Sequence, residues 1–280
     1  MKNISAYSKN SMDFFDEVLN SKKDPILVSR INVLYPNITH LFQTYDTLFS
    51  SNSLVNANSF GYSGQNKSDL EKLYNYKRKA FRILELELTT NSKNRRNNTC
   101  QNCTLESINS FDHLLPQTEF IEYVIHPKNL FPSCTTCNSH KSKIWRDNGK
   151  TLFLNLYLDT LPQVQYLFVD INITNGLVEP TFYLENRHHI HPDLFELLEN
   201  HYTKLHLFRR FKEKSGNIIE ELENSLKPYK NSGNLSKTDI ISIVEDKIAF
   251  DKTSFGINYW KSILEYELIH SNSFIDTLIK

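Results

Sequence analysis

The sequence has no long apolar stretch and no excess of charge of either sign. No apolar run approaches the ~20 residues that span a bilayer, and residues 1–30 lack the apolar core and cleavage site of a secretory signal. The 280 residues include 32 basic and 32 acidic side chains, which argues against a general polyanion-binding protein but permits a local basic face. We therefore expect a soluble, cytoplasmic protein without a membrane partner, formed by one large domain or two modest ones.

Cysteine is scarce, but its positions are informative. The four cysteines form two C-x-x-C pairs, Cys100/Cys103 and Cys134/Cys137, and no thiol is left over. In a reducing cytosol such pairs are thiolate ligands more often than disulfides. Two tight turns that each present two thiolates supply the four ligands of a tetrahedral zinc ion. The spacing predicts one structural zinc per chain; four unlinked buried cysteines and a thioredoxin-like redox pair are the alternatives.

The hydrophobic pattern predicts helices on both sides of the cysteine-bearing segment. Residues 10–50 contain short amphipathic patches, and a polar loop over 50–68 precedes a helix that Ser68 would cap. Residues 165–185 form two β-rich arms around Asn175-Gly176, which is typical of a β-hairpin. The expected fold class is therefore α+β and mostly α-helical.

Three regions follow from this layout. They are an N-terminal helical region (1–95), a compact core that holds the cysteines (96–150), and a β-hairpin with a C-terminal helical region (151–280).

The residues that could carry chemistry lie between the cysteine pairs and just after them. Asp112 and His113 are adjacent in an otherwise apolar run, Asn129 precedes the second pair, and Asn138 and Lys141 follow it. Burying an acid beside an imidazole is costly unless each group has a partner. The simpler alternative is that Asp112 caps a turn and His113 is a hydrogen-bonded core histidine.

The segments "SFDHLLPQ" and "NLFPSCTTCNSHKS" together resemble the motif of HNH (ββα-metal) endonucleases, in the variant where asparagine replaces the last histidine. The resemblance covers about residues 99–146, and "HLLPQ" also resembles the HNH domain of RNA-guided nucleases. It implies a small ββα-metal core with zinc knuckles between the two helical regions. It also implies a metal-dependent endonuclease that hydrolyses phosphodiester bonds of nucleic acid, with DNA as the expected substrate.

The resemblance assigns a role to each motif residue. His113 would be the general base that removes a proton from the attacking water. Asp112 and Asn138 would hold a catalytic Mg²⁺ or Mn²⁺ through oxygen atoms, and Asn129 would fix the loop that orients His113. Lys141 would contact a phosphate. Asparagine at the last motif position leaves the metal preference open.

Two further expectations concern partners. Arg78, Lys79 and Arg82 would contact nucleic acid, although most charged helix faces are simply solvated. The stretch "FLNLYLDTLPQVQYLFVDI" is similar to stand-alone bacterial HNH proteins, several of which resemble the nuclease subunits of antiphage systems such as the Septu type. That similarity implies an ABC-type ATPase as a partner. A zinc-stabilised binding module with an inactive HNH fold and an RNA-cleaving toxin remain as alternative functions.

Overall fold

The computed structural model describes residues 1–232 and 236–279, which group into two compact units. The N-terminal unit comprises Asn3–Asn102 and Glu106–Thr160; the C-terminal unit comprises Met1–Lys2, Cys103–Leu105 and Leu161–Lys280. About 52% of the chain is helical, and the strands form small antiparallel hairpins. The predicted α+β, mostly helical class is therefore confirmed, whereas the three predicted regions (1–95, 96–150, 151–280) stay a prediction.

Four helices supply most of the core of the N-terminal unit. They are α1 (Ser11–Asn20), α2 (Pro25–Ser50), α3 (Gly64–Glu71) and α4 (Lys79–Thr89). Asn10 and Asp24 cap α1 and α2, because their side-chain oxygens accept hydrogen bonds from backbone N–H groups of the first turn. The apolar faces of these helices meet in one cluster that includes Phe14, Phe42 and Phe81.

The structure corrects the helix that we expected to begin at Ser68. Helix α3 already begins at Gly64, so Ser68 lies inside it, and the chain leaves helical geometry between α3 and α4. Asn75 forms a turn within this break: its side-chain oxygen accepts a hydrogen bond from the N–H of Lys77 at 3.0 Å, and its carbonyl accepts one from the N–H of Arg78 at 3.0 Å. Such a local turn competes with the helix.

Two short strands and a helix follow one another in the cysteine-bearing segment. Strands β1 (Ser110–His113) and β2 (Leu130–Ser133) pair antiparallel, with Asp112 opposite Phe131 and His113 opposite Leu130. Helix α5 (Thr135–Lys141) begins directly after β2 and packs against β1. Residues 114–129 form a long excursion between the strands, with two 3₁₀ turns. A small hairpin of β3 (Arg146–Asp147) and β4 (Lys150–Thr151) comes next.

In the described part of the C-terminal unit, the predicted β-hairpin is accompanied by five helices. Strands β5 (Leu167–Thr174) and β6 (Leu177–Leu184) pair along their whole length. Asn175 and Gly176 both have positive φ, 51° and 81°, as the tight turn requires. The helices are α6 (Pro192–Lys204), α7 (Leu207–Ser232), α8 (Lys237–Phe255), α9 (Trp260–His270) and α10 (Asn272–Ile279).

A buried tryptophan organises the core of this second unit. The ring of Trp260 stacks on Phe211 at 5.2 Å and lies 6.1 Å from Phe182, so α9 packs against both α7 and the hairpin. Within the described part of the chain, no helix combines the length and hydropathy needed to cross a bilayer.

Candidate functional site

The four cysteines lie together. The sulfurs of Cys100, Cys103, Cys134 and Cys137 are all within 4.8 Å of one another, and each residue is buried. A tetrahedral zinc ion with zinc–sulfur bonds of about 2.3 Å places its sulfurs about 3.8 Å apart, close to this arrangement. The predicted clustering is confirmed, and the four thiolates could hold a zinc ion.

Backbone N–H groups point at two of these sulfurs. The N–H of Leu105 donates to the sulfur of Cys103, and the N–H of Cys137 donates to the sulfur of Cys134, each at 3.4 Å. Cys134 is also the N-cap of α5, where the helix dipole favours negative charge. Both effects favour thiolates over thiols, as a metal ligand requires.

A cleft of about 320 Å³ brings Asp112, His113 and Asn138 together. The cleft lies within the N-terminal unit. Four segments contribute to it: β1, the excursion after β1, the end of α5 and the break before α4. Its lining residues are Tyr74, Ser110, Phe111, Asp112, His113, Pro116, Gln117, Thr118, Asn138, Ser142 and Lys143.

His113 is held by two contacts at the end of β1. Its Nε2 lies 2.9 Å from the carbonyl oxygen of Val124, and the ring of Tyr74 lies edge-on at 4.9 Å. A carbonyl only accepts hydrogen bonds, so Nε2 carries the proton and Nδ1 of the neutral ring is the basic atom. Burial lowers the pKa of His113 to about 4; the Val124 carbonyl opposes this shift and the nearby Lys141 ammonium adds to it. The imidazole is therefore neutral at pH 7.

Asp112 forms a buried ion pair with Lys141. The Lys141 Nζ donates to Oδ2 of Asp112 at 2.8 Å and to the carbonyl of His113 at 2.7 Å. Burial raises the pKa of Asp112, and the Lys141 ammonium opposes that shift. Lys141 was predicted to contact a phosphate, but its ammonium is engaged in this pair and the residue does not line the cleft.

The two motif asparagines have different environments. Asn138 is half-buried, and its Nδ2 donates to the carbonyl of Phe111 at 3.0 Å, so its amide oxygen points away from that carbonyl. Asn129 is fully buried and does not line the cleft. Its Oδ1 accepts from the N–H of Leu115 at 2.7 Å and from the hydroxyl of Tyr45 at 3.1 Å.

The amide nitrogen of Asn129 adds two more hydrogen bonds, and we call the hydrogen bonds of the Asn129 side chain the clamp. Nδ2 donates to the carbonyls of Leu115 and Tyr123, both at 3.1 Å. Asn129 therefore ties the two ends of the excursion together. Because Tyr123 precedes Val124, whose carbonyl accepts from His113, the clamp also fixes the group that orients the imidazole.

The basic residues predicted to bind nucleic acid lie outside the cleft lining. Arg78 is the residue before α4, Lys79 is its first residue, and both are exposed. Arg82 donates to Oε2 of the buried Glu85 at 2.8 Å and to the Tyr76 hydroxyl at 2.8 Å. Arg82 thus neutralises a buried carboxylate within the fold, whereas Arg78 and Lys79 stay candidates for a nucleic-acid contact.

Sequence reasoning missed several cleft residues. Tyr74 lies in the segment after Ser68 that the sequence predicts to be helical, and the turn-forming Asn75 beside it is a signal for the break found there. Gln117, Thr118 and Lys143 belong to turns whose direction no periodicity reveals. Comparisons with protein-family models, curated proteins and solved structures found no match to the chain.

Proposed function

We propose that this protein is a metal-dependent endonuclease of the HNH type that hydrolyses phosphodiester bonds of nucleic acid, with DNA as the expected substrate. One observation carries the proposal: a carboxylate, an imidazole and a carboxamide, from Asp112, His113 and Asn138, border the same cleft. Strand β1 supplies Asp112 and His113, and helix α5 supplies Asn138. The order β1, β2, α5 along the chain is the ββα order that the HNH resemblance implies.

His113 would act as the general base. Its Nε2 proton is committed to the Val124 carbonyl, so Nδ1 would accept the proton of the attacking water. A neutral imidazole is required for this step, and burial keeps His113 neutral at cellular pH. The negative charge of a bound phosphate would raise the pKa of His113 again, which would make it a stronger base when substrate is present.

Asp112 and Asn138 fit a hard divalent cation. Each offers a carboxylate or amide oxygen, the ligand type that Mg²⁺ and Mn²⁺ prefer, and the cleft leaves space for water and phosphate oxygens beside them. When bound, such an ion would supply electrostatic stabilisation of the phosphate as negative charge builds up on it.

We propose that the four cysteines hold one structural Zn²⁺. The donor set fits because four buried thiolates leave no position for substrate, which is the pattern of a closed zinc site. Its function would be to fasten the segment before β1 to the start of α5, since each of these segments contributes one C-x-x-C pair.

A second candidate function is a zinc-stabilised binding module whose HNH chemistry is lost. The Asp112–Lys141 ion pair favours it, because a resident ammonium already compensates the charge that a metal ion would neutralise. The two functions differ in whether cleavage depends on His113.

The test is cleavage of supercoiled plasmid and of tRNA by the purified chain with Mg²⁺ or Mn²⁺. We expect plasmid cleavage that gives 5′-phosphate and 3′-hydroxyl ends. The substitution His113→Ala should lower the rate by ~10²–10⁴-fold, the usual contribution of a general base. His40→Ala, which changes an exposed histidine of α2, serves as the matched control and should cleave like wild type.

The outcomes separate the candidates. Cleavage that persists at full rate in His113→Ala would exclude this mechanism, and binding without any cleavage would favour the inactive module. Cleavage of tRNA but not of plasmid would favour the RNA-cleaving toxin. Purification from the native host tests the proposed ABC-type ATPase partner, which should co-purify in a fixed ratio if the two form an antiphage assembly.

A further inference from the structure

Two lysines separated by a single residue have opposite environments at the end of α5. Lys141 is buried, with 6% of its surface exposed. Its Nζ reaches three oxygens, namely Oδ2 of Asp112 and the carbonyls of His113 and Leu114 at 2.8, 2.7 and 3.5 Å. An ammonium has three N–H donors, so these acceptors occupy the whole donor set of Lys141.

The contacts of Lys141 fix one half of the Asp112 carboxylate. Oδ2 accepts a hydrogen bond from the Lys141 ammonium, which also donates to the backbone carbonyls of His113 and Leu114. The second oxygen, Oδ1, is then the atom that Asp112 can offer to a cation in the cleft. A Lys141 side chain that reached for a phosphate would leave a buried carboxylate without its partner.

The backbone of Ser142 separates the two lysines. Ser142 has φ 52° and ψ −134°, in the left-handed half of conformational space that non-glycine residues rarely adopt. Its N–H still donates to the carbonyl of Asn138 at 3.0 Å, so α5 ends at this residue and the chain changes direction. Lys141, on the N-terminal side of this turn, is buried against Asp112, whereas Lys143, on its other side, borders the cleft and is exposed.

Lys143 is the cation that substrate would meet. Among the described residues that line the cleft, it is the one lysine or arginine, and no carboxylate in the described part of the chain forms an ion pair with it. An exposed ammonium beside the proposed site of phosphodiester hydrolysis matches the way lysine binds phosphate as a point charge.

We propose that Lys143 contacts a backbone phosphate of the nucleic-acid substrate and that Lys141 is a positioning residue that acts through Asp112. This inference rests on the proposed nuclease function and deepens it. It transfers the phosphate contact predicted for Lys141 to the lysine two residues later, and it assigns Lys141 to the binding of the divalent cation.

Two measurements test the assignment. The first is steady-state cleavage at varied substrate and Mn²⁺ concentrations. The second is binding of a labelled duplex oligonucleotide in Ca²⁺ over a range of NaCl concentrations. Lys143→Gln should raise KM with kcat nearly unchanged, and it should reduce the slope of log Kd against log salt by about 0.9, the value for one phosphate contact. Lys143→Arg should restore both quantities. Lys93→Gln, at an exposed lysine outside the cleft, is the matched control.

Lys141→Met should have the opposite signature. We expect kcat or Mn²⁺ affinity to fall by about 10–100-fold, as for other groups that orient a metal ligand, with the salt slope unchanged. Mn²⁺ binding to the protein alone, followed by electron paramagnetic resonance, reports the same effect without cleavage. If Lys141→Met does not fold, Lys141→Arg keeps the charge and the donors, and it should retain the wild-type salt slope and part of the Mn²⁺ affinity.

The results test the roles of the two lysines separately from the proposed nuclease function. If wild type cleaves with His113 as the base but Lys143→Gln keeps its KM and salt slope, only the present inference is overturned. A Lys141 variant that loses one phosphate contact and keeps its Mn²⁺ affinity would also overturn it. Wild-type protein that neither cleaves nor binds the oligonucleotide would overturn the function and the inference together.

Discussion

The cysteine cluster and the cleft differ in how their parts are distributed along the chain. The cluster uses one residue type at two identical spacings, and all four sulfurs lie within 4.8 Å of one another. The cleft combines Tyr74 from the break before α4, Asp112 and His113 from β1, the excursion after that strand, and Asn138 from α5. A site built from a repeated local unit is visible in the sequence. A site assembled from several elements is only partly visible, because each of its residue types has other common roles.

The largest effect should come from breaking the cysteine cluster. Cys134→Ser removes one of four thiolates, and a structural zinc site contributes about 10–16 kcal/mol of apparent folding free energy, comparable to the whole stability of a domain. We expect zinc to fall from one ion per chain to near zero and residues 99–142 to lose protection from hydrogen exchange. Ser139→Ala, at an exposed position of α5, should change neither quantity. Full zinc content in Cys134→Ser would contradict the shared site.

A comparison of Asn129 with Asn138 separates a residue that stabilises the cleft from a residue that we propose takes part in cleavage. Asn129→Ala removes four hydrogen bonds and leaves buried groups unpaired, at about 1–3 kcal/mol each, so thermal unfolding should show a large loss of stability. Asn138→Ala removes one bond to Phe111 and should cost about 1 kcal/mol. Under the proposed function, cleavage should nevertheless be lost in Asn138→Ala, because the amide oxygen that we propose as a metal ligand is missing. Equal losses of Tm in the two variants would contradict this division.

A smaller, pH-dependent effect should come from His126, a buried histidine near the clamp. Its ring packs against Phe42 and Tyr45 at 4.4 and 4.1 Å, its Nε2 lies 3.6 Å from Asp46, and burial lowers its pKa well below the usual value. The unfolded chain binds a proton at this histidine below about pH 6.5, while the folded chain resists it. Stability therefore falls as the pH drops below that value. His113 adds a loss of the same sign that is complete near its folded pKa of about 4.

The substitution His126→Leu should remove one of these two contributions. We expect its Tm to decrease less than the wild-type Tm between pH 7.5 and pH 5, as measured by circular dichroism. His40→Leu, at an exposed position of α2, is the control and should follow the wild-type profile. Parallel curves for wild type and His126→Leu would show that His126 does not contribute to acid sensitivity.

Much of the fold was predictable because the decisive signals are local. The Asn175-Gly176 turn specifies the β5–β6 hairpin through two positive φ angles, and the C-x-x-C pairs specify the cysteine cluster. The α+β class follows from similarly short-range patterns.

The rest depends on which partner a side chain finds in three dimensions. From the sequence, Lys141 could equally be a phosphate ligand or the counter-ion of a buried acid. Only the position of Asp112 in the fold decides between these two roles. The sequence indicates that Arg82 belongs to a solvated basic face, whereas in the structure it binds the buried Glu85. Charge patterns along a chain do not contain these pairings.

The clamp at Asn129 divides the excursion after β1 into an anchored base and an outward turn. Leu114 and Leu115 are tied to Asn129 at the base. Gln117 and Thr118 lie at the turn, exposed and bordering the cleft. Insertions or substitutions at that turn would change the shape of the cleft entrance, while the His113 imidazole would keep its position. Under the proposed nuclease function, changes at this turn would alter substrate selection and leave His113 and its hydrogen bond to Val124 in place.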